Sequence, residues 1–237
     1  MKELILIIPV KDSLNTLRET VHSISSAMTG FAFYIFDDFS TPETRQWLDE
    51  NSGKYGYQVL GLEQYTTKKS PNYRTILLIS RELALNRNAN LVIIESDVIV
   101  GSETINGLNH LADELPQAGL IGAVTVDNSG KVNFPYLYAQ TDGKTGTYVS
   151  DHSISFCCTL LTNNFLRRFD FNDLPESLDW FDVPISKKSR ALGFKNYISK
   201  DLPVLHQPHG SRPWKMLKYK NPFLYYLKKI IFRRDRI

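Results

Sequence analysis

The chain has only two cysteines among its 237 residues, and these are neighbours, Cys157 and Cys158, inside an apolar run. Adjacent cysteines seldom close a structural disulfide, so a disulfide scaffold is excluded and a reduced, cytoplasmic setting is expected. No apolar stretch is long enough to span a bilayer, and Met1-Lys2-Glu3 leads straight into a strand-like run without the layout of a signal peptide. A soluble chain, or one that meets a membrane only peripherally, is expected. A strong charge excess is also missing. The net charge of +3 is too small for a nucleic-acid protein, and no nucleic-acid-binding signature is present. No G-x-G-x-x-G follows the first apolar run, which argues against a dinucleotide oxidoreductase. Internal repeats and low-complexity linkers are absent too, so one compact unit is expected.

What is there begins with residues 91–100, LVIIESDVIV, where an apolar run stops at two carboxylates and a serine and then resumes. Residues 91–94 read as a buried parallel strand, short and rich in β-branched side chains. Glu95, Ser96 and Asp97 then sit at its carboxyl end, where open α/β sheets form their ligand crevice. Two carboxylates so placed suit a hard cation, Mn²⁺ or Mg²⁺, that shares its other ligands with substrate phosphates.

The first half of the chain alternates strand and helix. Residues 4–10 form an apolar run ended by Pro9-Val10-Lys11-Asp12-Ser13, after which Leu14, Leu17, Val21 and Ile24 mark one helix face with Asp12 or Ser13 as the expected N-cap. Residues 31–36 form a second strand ending at Asp37 and Asp38, and Ser40-Thr41-Pro42-Glu43 reads as a capping box with proline in the first turn. A third strand is expected over 57–62, a helix carrying Tyr73, Ile76, Leu77 and Leu83, a helix capped by Ser102, and a fifth strand over 120–126. Such a series implies a mostly parallel sheet flanked by helices. Beyond it, turn-rich sequence and a strand-like run over 154–161 point to a smaller, mixed β region. Asp179-Trp180-Phe181-Asp182 opens another helix that stops at Gly193. With 42% hydrophobic and 22% charged residues, the chain can bury one sizeable core.

The order of LILIIPVKDSLNTLRETVHSI, YIFDDFST, LVIIESDV and WFDVPISKKSRALGFKNY resembles the motif succession of family 2 glycosyltransferases, which have the GT-A fold. The resemblance covers the chain to about residue 211 and implies a single GT-A-like domain over 1–213. It implies that Pro9, Val10 and Lys11 line a nucleotide pocket, that Asp38 with Asp37 beside it meets the base, and that Arg74 lies near the nucleotide. By the same likeness Glu95 and Ser96 face the ribose, Asp97 binds the metal, and His206 or His209 completes the metal contacts. Asp182 is implied as the catalytic base, with Trp180 beside it on the substrate side. Three positions depart from the pattern: Glu95 stands for an Asp, Phe181 for a Glu, and Tyr73 for a Gly. The implied reaction is metal-dependent, inverting transfer of a sugar from a nucleotide-diphospho-sugar, a UDP-sugar first among them, to a glycan or lipid-linked acceptor in cell-surface polysaccharide synthesis.

Each of these residues also has a structural use. Asp37 and Asp38 could cap a helix, Asp182 could offset a helix dipole, His206 could be a hydrogen-bonded core histidine and Arg74 a solvated charge. Two further functions stay open on the residues alone, a nucleotidyltransferase and a catalytically inactive nucleotide-sugar or partner-binding protein. The first normally carries a glycine-rich phosphate loop, and residues 9–13 hold no glycine. The remaining segment, 214–237, interleaves aromatic and basic residues and suits either a helix in the interface of an anionic membrane, at the inner face of the cell membrane, or a packed final helix with a solvated tail.

Overall fold

The computed structural model describes residues 2–27, 30–178, 180–207 and 221–231. The strands are β1 (Leu4–Val10), β2 (Phe31–Asp37), β3 (Gln58–Gly61), β4 (Asn90–Ile94), β5 (Val98–Ile99), β6 (Ala118–Val126), β7 (Thr147–Val149), β8 (Cys158–Leu161) and β9 (Lys195–His206). The α-helices are α1 (Leu14–Ser26), α2 (Pro42–Tyr55), α3 (Tyr73–Asn86), α4 (Thr104–Glu114), α5 (Asn163–Arg168), α6 (Asp182–Ala191) and α7 (Pro222–Ile231). His209, Asp179 and residues 214–220 of the basic segment lie outside the described residues.

All strands join one sheet in the order β3-β2-β1-β4-β8-β6-β9-β5, with β7 on β9. The period-2 geometry of β1 sends Leu4, Leu6, Ile8 and Val10 to the face covered by Leu17, Val21 and Ile24 of α1. Ile5 and Ile7 go to the other face, against Ile76 and Leu77 of α3. Each of these fully buried aliphatic side chains contributes about 1.5–3 kcal/mol. The result is a three-layer sandwich in which β1, β2, β3 and β4 are parallel, as the alternating sequence implied.

The sheet continues differently from the simple series. The fifth long strand, β6, does not join β4, because β8 lies between them and runs antiparallel to both. The mixed region is therefore the far end of the same sheet. Only 158–161 of the expected 154–161 strand is extended in the ladder, since Ile154 N–H is instead taken by the Ser186 hydroxyl at 2.9 Å. β9 runs parallel to β6 as far as Ser199, leaves the ladder over 200–203, and rejoins it at Val204 and Leu205. That irregularity aims the end of β9 at β5, where Val98 faces His206 and Ile99 faces Leu205 in a two-residue antiparallel ladder.

Two helix starts differ from the sequence reading. The expected capping box does not form, because Thr41 is the N-cap of α2 and no side chain caps it. Ser40 and Thr41 are committed elsewhere: Ser40 Oγ accepts from Asp12 N–H at 3.0 Å, and Thr41 N–H donates to Asp12 Oδ1 at 2.7 Å. Helix α4 begins after Glu103, not at Ser102, and Thr104 Oγ1 accepts from Gly101 N–H.

Candidate active site

The carboxyl ends of β1, β2 and β4 open on one edge of the sheet, as parallel pairing requires. The two loops that follow β1 and β2 are sewn together. Asp12 receives Thr41 N–H, Asp38 N–H donates to Val10 O at 2.8 Å, and the Lys11 ammonium reaches Phe39 O and lies 3.6 Å from Asp12. Asp12, Ser13 and Phe39 hold left-handed backbone at φ 57°, 61° and 59°. Non-glycine residues adopt that conformation only at a cost of about 1–3 kcal/mol, which concentrates at sites where the chain must take a set shape. The Ser13 hydroxyl accordingly does not cap α1, although Ser13 occupies the N-cap position.

Asp37 and Asp38 are both buried, and both carboxylates are in use. Asp37 accepts from Ser40 N–H at 3.0 Å and from Arg45 at 3.2 Å. Asp38 Oδ2 accepts from the Ser70 hydroxyl at 2.7 Å and from Asn72 N–H at 2.9 Å, while Oδ1 accepts from Asn72 Nδ2 at 2.7 Å. A carboxylate offers roughly four acceptor positions, so the loop before α3 fills most of those on Asp38.

Two ladders assemble the second half of the site. Pairing of β4 with β8 sets Ile94 opposite Cys158, and Glu95 N–H donates to Cys157 O at 3.0 Å, so the Glu95 and Cys157 side chains emerge together. Pairing of β5 with β9 does the same for Asp97 and His206, with Gln207 N–H on Asp97 O at 2.9 Å. His206 Nε2 lies 3.4 Å from Asp97 Oδ2. The Cys157 thiol donates to Glu95 Oε2 at 3.3 Å, and one ligand atom each of Glu95, Cys157 and His206 fall within 4.8 Å of one another.

The far side of the imidazole is fixed as well, with His206 Nδ1 2.8 Å from Phe134 O. That carbonyl can only accept, so Nδ1 carries a proton and Nε2 is the atom turned toward the carboxylates. Burial by itself lowers the His206 pKa, but the Asp97 hydrogen bond and the Asp97 and Glu95 charges outweigh it and the value is raised. Burial first, and then the Glu95 charge, push the Cys157 thiol well above its usual range. A buried Asp97, a half-buried Glu95 and an imidazole oriented by a carbonyl on its other nitrogen are the chemistry of a divalent-cation site, and these residues fit one.

Between the two halves lies a feature that sequence reading missed. Tyr73, at the first position of α3, stacks on Phe156 at 6.3 Å and on Phe181 at 6.0 Å, with near-parallel planes on both sides. Two of the three departures from the family pattern, Tyr73 and Phe181, therefore touch each other. The stack joins the segment before Cys157 to the N-terminus of α6, where Asp182 is half-buried and takes Val183 N–H on Oδ1 at 2.9 Å. Trp180 is half-buried just ahead of it, and Ser96 is half-buried in the turn closed by Val98 N–H on Glu95 O.

The structure thus gathers Glu95, Asp97 and His206 at one place and leaves Pro9, Val10 and Asp37 at the neighbouring ends of β1 and β2, with Lys11 and Asp38 just beyond them on the same edge. Arg74 has a bracing part, donating to Leu174 O and Asn172 O at 2.9 Å each. Cys157 was missed because a cysteine inside an apolar run reads as core filler, and only the antiparallel pairing of β8 with β4 puts it beside Glu95.

No protein-family model matches the sequence, and no curated protein matches it. Solved structures do resemble it. TarS 1–349 of S. aureus in complex with UDP-GlcNAc superposes with a TM-score of 0.66 at 16% identity, over 89% of this chain and 60% of that one. The mannosyltransferase PcManGT of Pyrobaculum calidifontis, in complex with GDP-Man and Mn²⁺, gives 0.62 at 14% identity, over 96% of this chain and 64% of that one. GalNAc-T7 with UDP, GalNAc and Mn²⁺ gives 0.61 at 15% identity, over 87% of this chain and 44% of that one. This chain spans less than two thirds of the length of each. The likeness establishes the expected fold, the GT-A fold of glycosyltransferases.

Proposed function

We propose that this GT-A chain is a family 2 glycosyltransferase that moves a sugar from a nucleotide-diphospho-sugar, a UDP-sugar first, to a hydroxyl of a glycan or lipid-linked acceptor. The observation that carries the reading is the convergence of Glu95, Asp97 and an oriented His206 at the end of β4. The donors bound in the similar structures, UDP-GlcNAc in TarS and GDP-Man in PcManGT, support a nucleotide-sugar here. In this reading Pro9, Val10 and Lys11 line the nucleotide pocket, Asp38 gives its remaining acceptor position to the base, and Glu95 and Ser96 face the ribose. Asp97 and His206 would hold Mn²⁺ or Mg²⁺, which when bound offsets the charge of the departing diphosphate.

The chain's own part in the chemistry is proton removal and orientation. Attack by the acceptor oxygen on the anomeric carbon forms one C–O bond, breaks the bond to the diphosphate and inverts the centre. Asp182 takes the acceptor proton, for which a carboxylate within hydrogen-bond reach suffices. Trp180 would pack on the acceptor side. We place this activity in cell-surface polysaccharide synthesis on the cytoplasmic side of the membrane.

The C-terminal segment fits that setting. No helix among the described residues is long and apolar enough to cross a membrane. Instead Phe223, Tyr226, Leu227 and Ile231 of α7 form one outward stripe, with Phe223 79% exposed, while Tyr225 is buried. Eight of the chain's 28 Lys and Arg residues, and one of its 25 Asp and Glu residues, fall in 214–237, leaving 20 basic against 24 acidic residues elsewhere. A basic segment with an outward apolar stripe on an otherwise acidic chain suits the interface of an anionic membrane.

The test of the transfer reading is calorimetry of UDP and GDP binding with and without Mn²⁺. Wild type should bind more tightly with the cation, and Asp97→Asn should lose that gain, because an amide is a poorer ligand for a hard cation. Equal affinities in Mn²⁺ would sink the assignment.

A further inference from the structure

Cation binding for sugar transfer needs oxygen and imidazole ligands, and Asp97, Glu95 and His206 provide them. It does not need a thiol. Yet the Cys157 sulfur faces Glu95 Oε2 at 3.3 Å and receives the Ser155 hydroxyl at 3.4 Å. A cysteine that only fills core space is surrounded by carbon; this one has a carboxylate and a hydroxyl on one flank.

We propose that Cys157 is itself a ligand of the cation held at this site, giving a mixed sulfur, nitrogen and oxygen set that prefers Zn²⁺ or Co²⁺ to Mg²⁺. The inference rests on the reading that Asp97, Glu95 and His206 hold the donor's cation, and it specifies which cation they take. Geometry supports it. An ion about 2.3 Å from sulfur and about 2.0–2.2 Å from nitrogen or oxygen in a tetrahedral site sets its ligand atoms roughly 3.4–3.6 Å apart. The Cys157–Glu95 and His206–Asp97 separations, 3.3 and 3.4 Å, are already close to that edge length. The widest separation among the Glu95, Cys157 and His206 ligand atoms is no more than 4.8 Å, which side-chain adjustment can close.

Both backbones are set by strand pairing, so the two sides of the site are pre-arranged. Ser155 is placed to donate to a coordinated sulfur, and Phe134 O holds the imidazole, the outer partners that metal ligands characteristically have. On binding, the thiol proton leaves to solvent and the thiolate takes its place on the ion. Thiolate and imidazole ligands select Zn²⁺ and Co²⁺, whereas Mg²⁺ asks for an octahedron of oxygens.

Co²⁺ titration of the full chain, followed by absorption, tests this without any assay of transfer. Wild type should show ligand-field bands in the visible and a sulfur-to-cobalt charge-transfer band in the near ultraviolet. Cys157→Ser should lose the charge-transfer band, keep the visible bands, and lose Zn²⁺ affinity by about tenfold or more. Cys158→Ser should keep both. Visible bands without charge transfer in wild type would overturn the sulfur ligand and leave the oxygen and imidazole site standing. A charge-transfer band that survives Cys157→Ser would overturn it in the same way. If neither band appears and UDP binding is also indifferent to every divalent cation, the cation reading itself fails. The wild-type spectrum decides the matter even if a variant folds poorly.

Discussion

The anchoring of the loop before α3 is tested most exactingly by Asp38→Asn, which changes one atom in a buried network. Asp38 and Asn72 are each 5% exposed, and Asp38 accepts three hydrogen bonds: from Ser70 Oγ, Asn72 N–H and Asn72 Nδ2. An asparagine can keep its carbonyl toward Ser70 and the Asn72 backbone only by turning its own amide nitrogen toward Asn72 Nδ2. Two donors would then meet. Asn72 has no escape by flipping, because its Nδ2 also donates to Lys68 O at 2.8 Å and a flip would set its carbonyl against that oxygen. The reverse orientation of residue 38 strands the Asn72 backbone N–H instead. Losing one hydrogen bond to a charged acceptor and leaving one buried donor unmet costs about 2–4 kcal/mol. For a chain of this size that lowers Tm by about 4–16 °C. Scanning calorimetry of the two proteins at one pH measures it. A Tm within about 1 °C of wild type would show that Asp38 is not the anchor of the 70–72 loop and refute the reasoning.

Two other outcomes are expected. Asp182→Asn keeps the size and reach of the side chain but not its basicity, so transfer should fall by about a hundredfold or more while donor affinity and Tm hold; a wild-type rate would remove Asp182 from the base role. Replacing Phe223, Leu227 and Ile231 by serine should abolish sedimentation with vesicles of anionic lipid at low salt and leave UDP binding unchanged; an intact protein that ignores such vesicles would make α7 a structural or solvated element.

The parts of this fold that sequence makes legible are those governed by local pattern. The apolar runs of β1, β2 and β4 give way to charge at Lys11, Asp37 and Glu95 because a charge in the middle of a strand buried on both faces would lose its hydration, and the crevice follows from the parallel pairing that alternating helices enforce. Asp97 was legible as a candidate by its place at such an end, and His206 only through the family resemblance. What was not legible depends on which distant strands pair. Nothing in the run around Cys158 says that it inserts antiparallel between β4 and β6, and so nothing singled out Cys157. The Ser40–Glu43 capping box failed for a related reason, since Asp12, distant in sequence, donates its N–H to the Ser40 hydroxyl and Asp37 accepts the Ser40 N–H that Glu43 would have taken. Tyr73 and Phe181 looked like two unrelated departures from a pattern, whereas in three dimensions each ring is the other's neighbour.

The short ladder between β5 and β9 ties the site to the order in which the chain is made. Asp97 leaves the ribosome more than a hundred residues before His206, and a nascent chain that lacks β9 lacks the imidazole that pairs with Asp97. On the proposed function, ligand binding at this place would require that synthesis has passed β9 and that β9 has docked. The coupling runs in both directions. A ligand present at about a hundred times its Kd would stabilise the form with β9 docked by about 2.7 kcal/mol, and that stabilisation would act on the sheet edge completed last. The substrate pool would then serve as a folding aid, holding closed a seam of only two paired residues on each side.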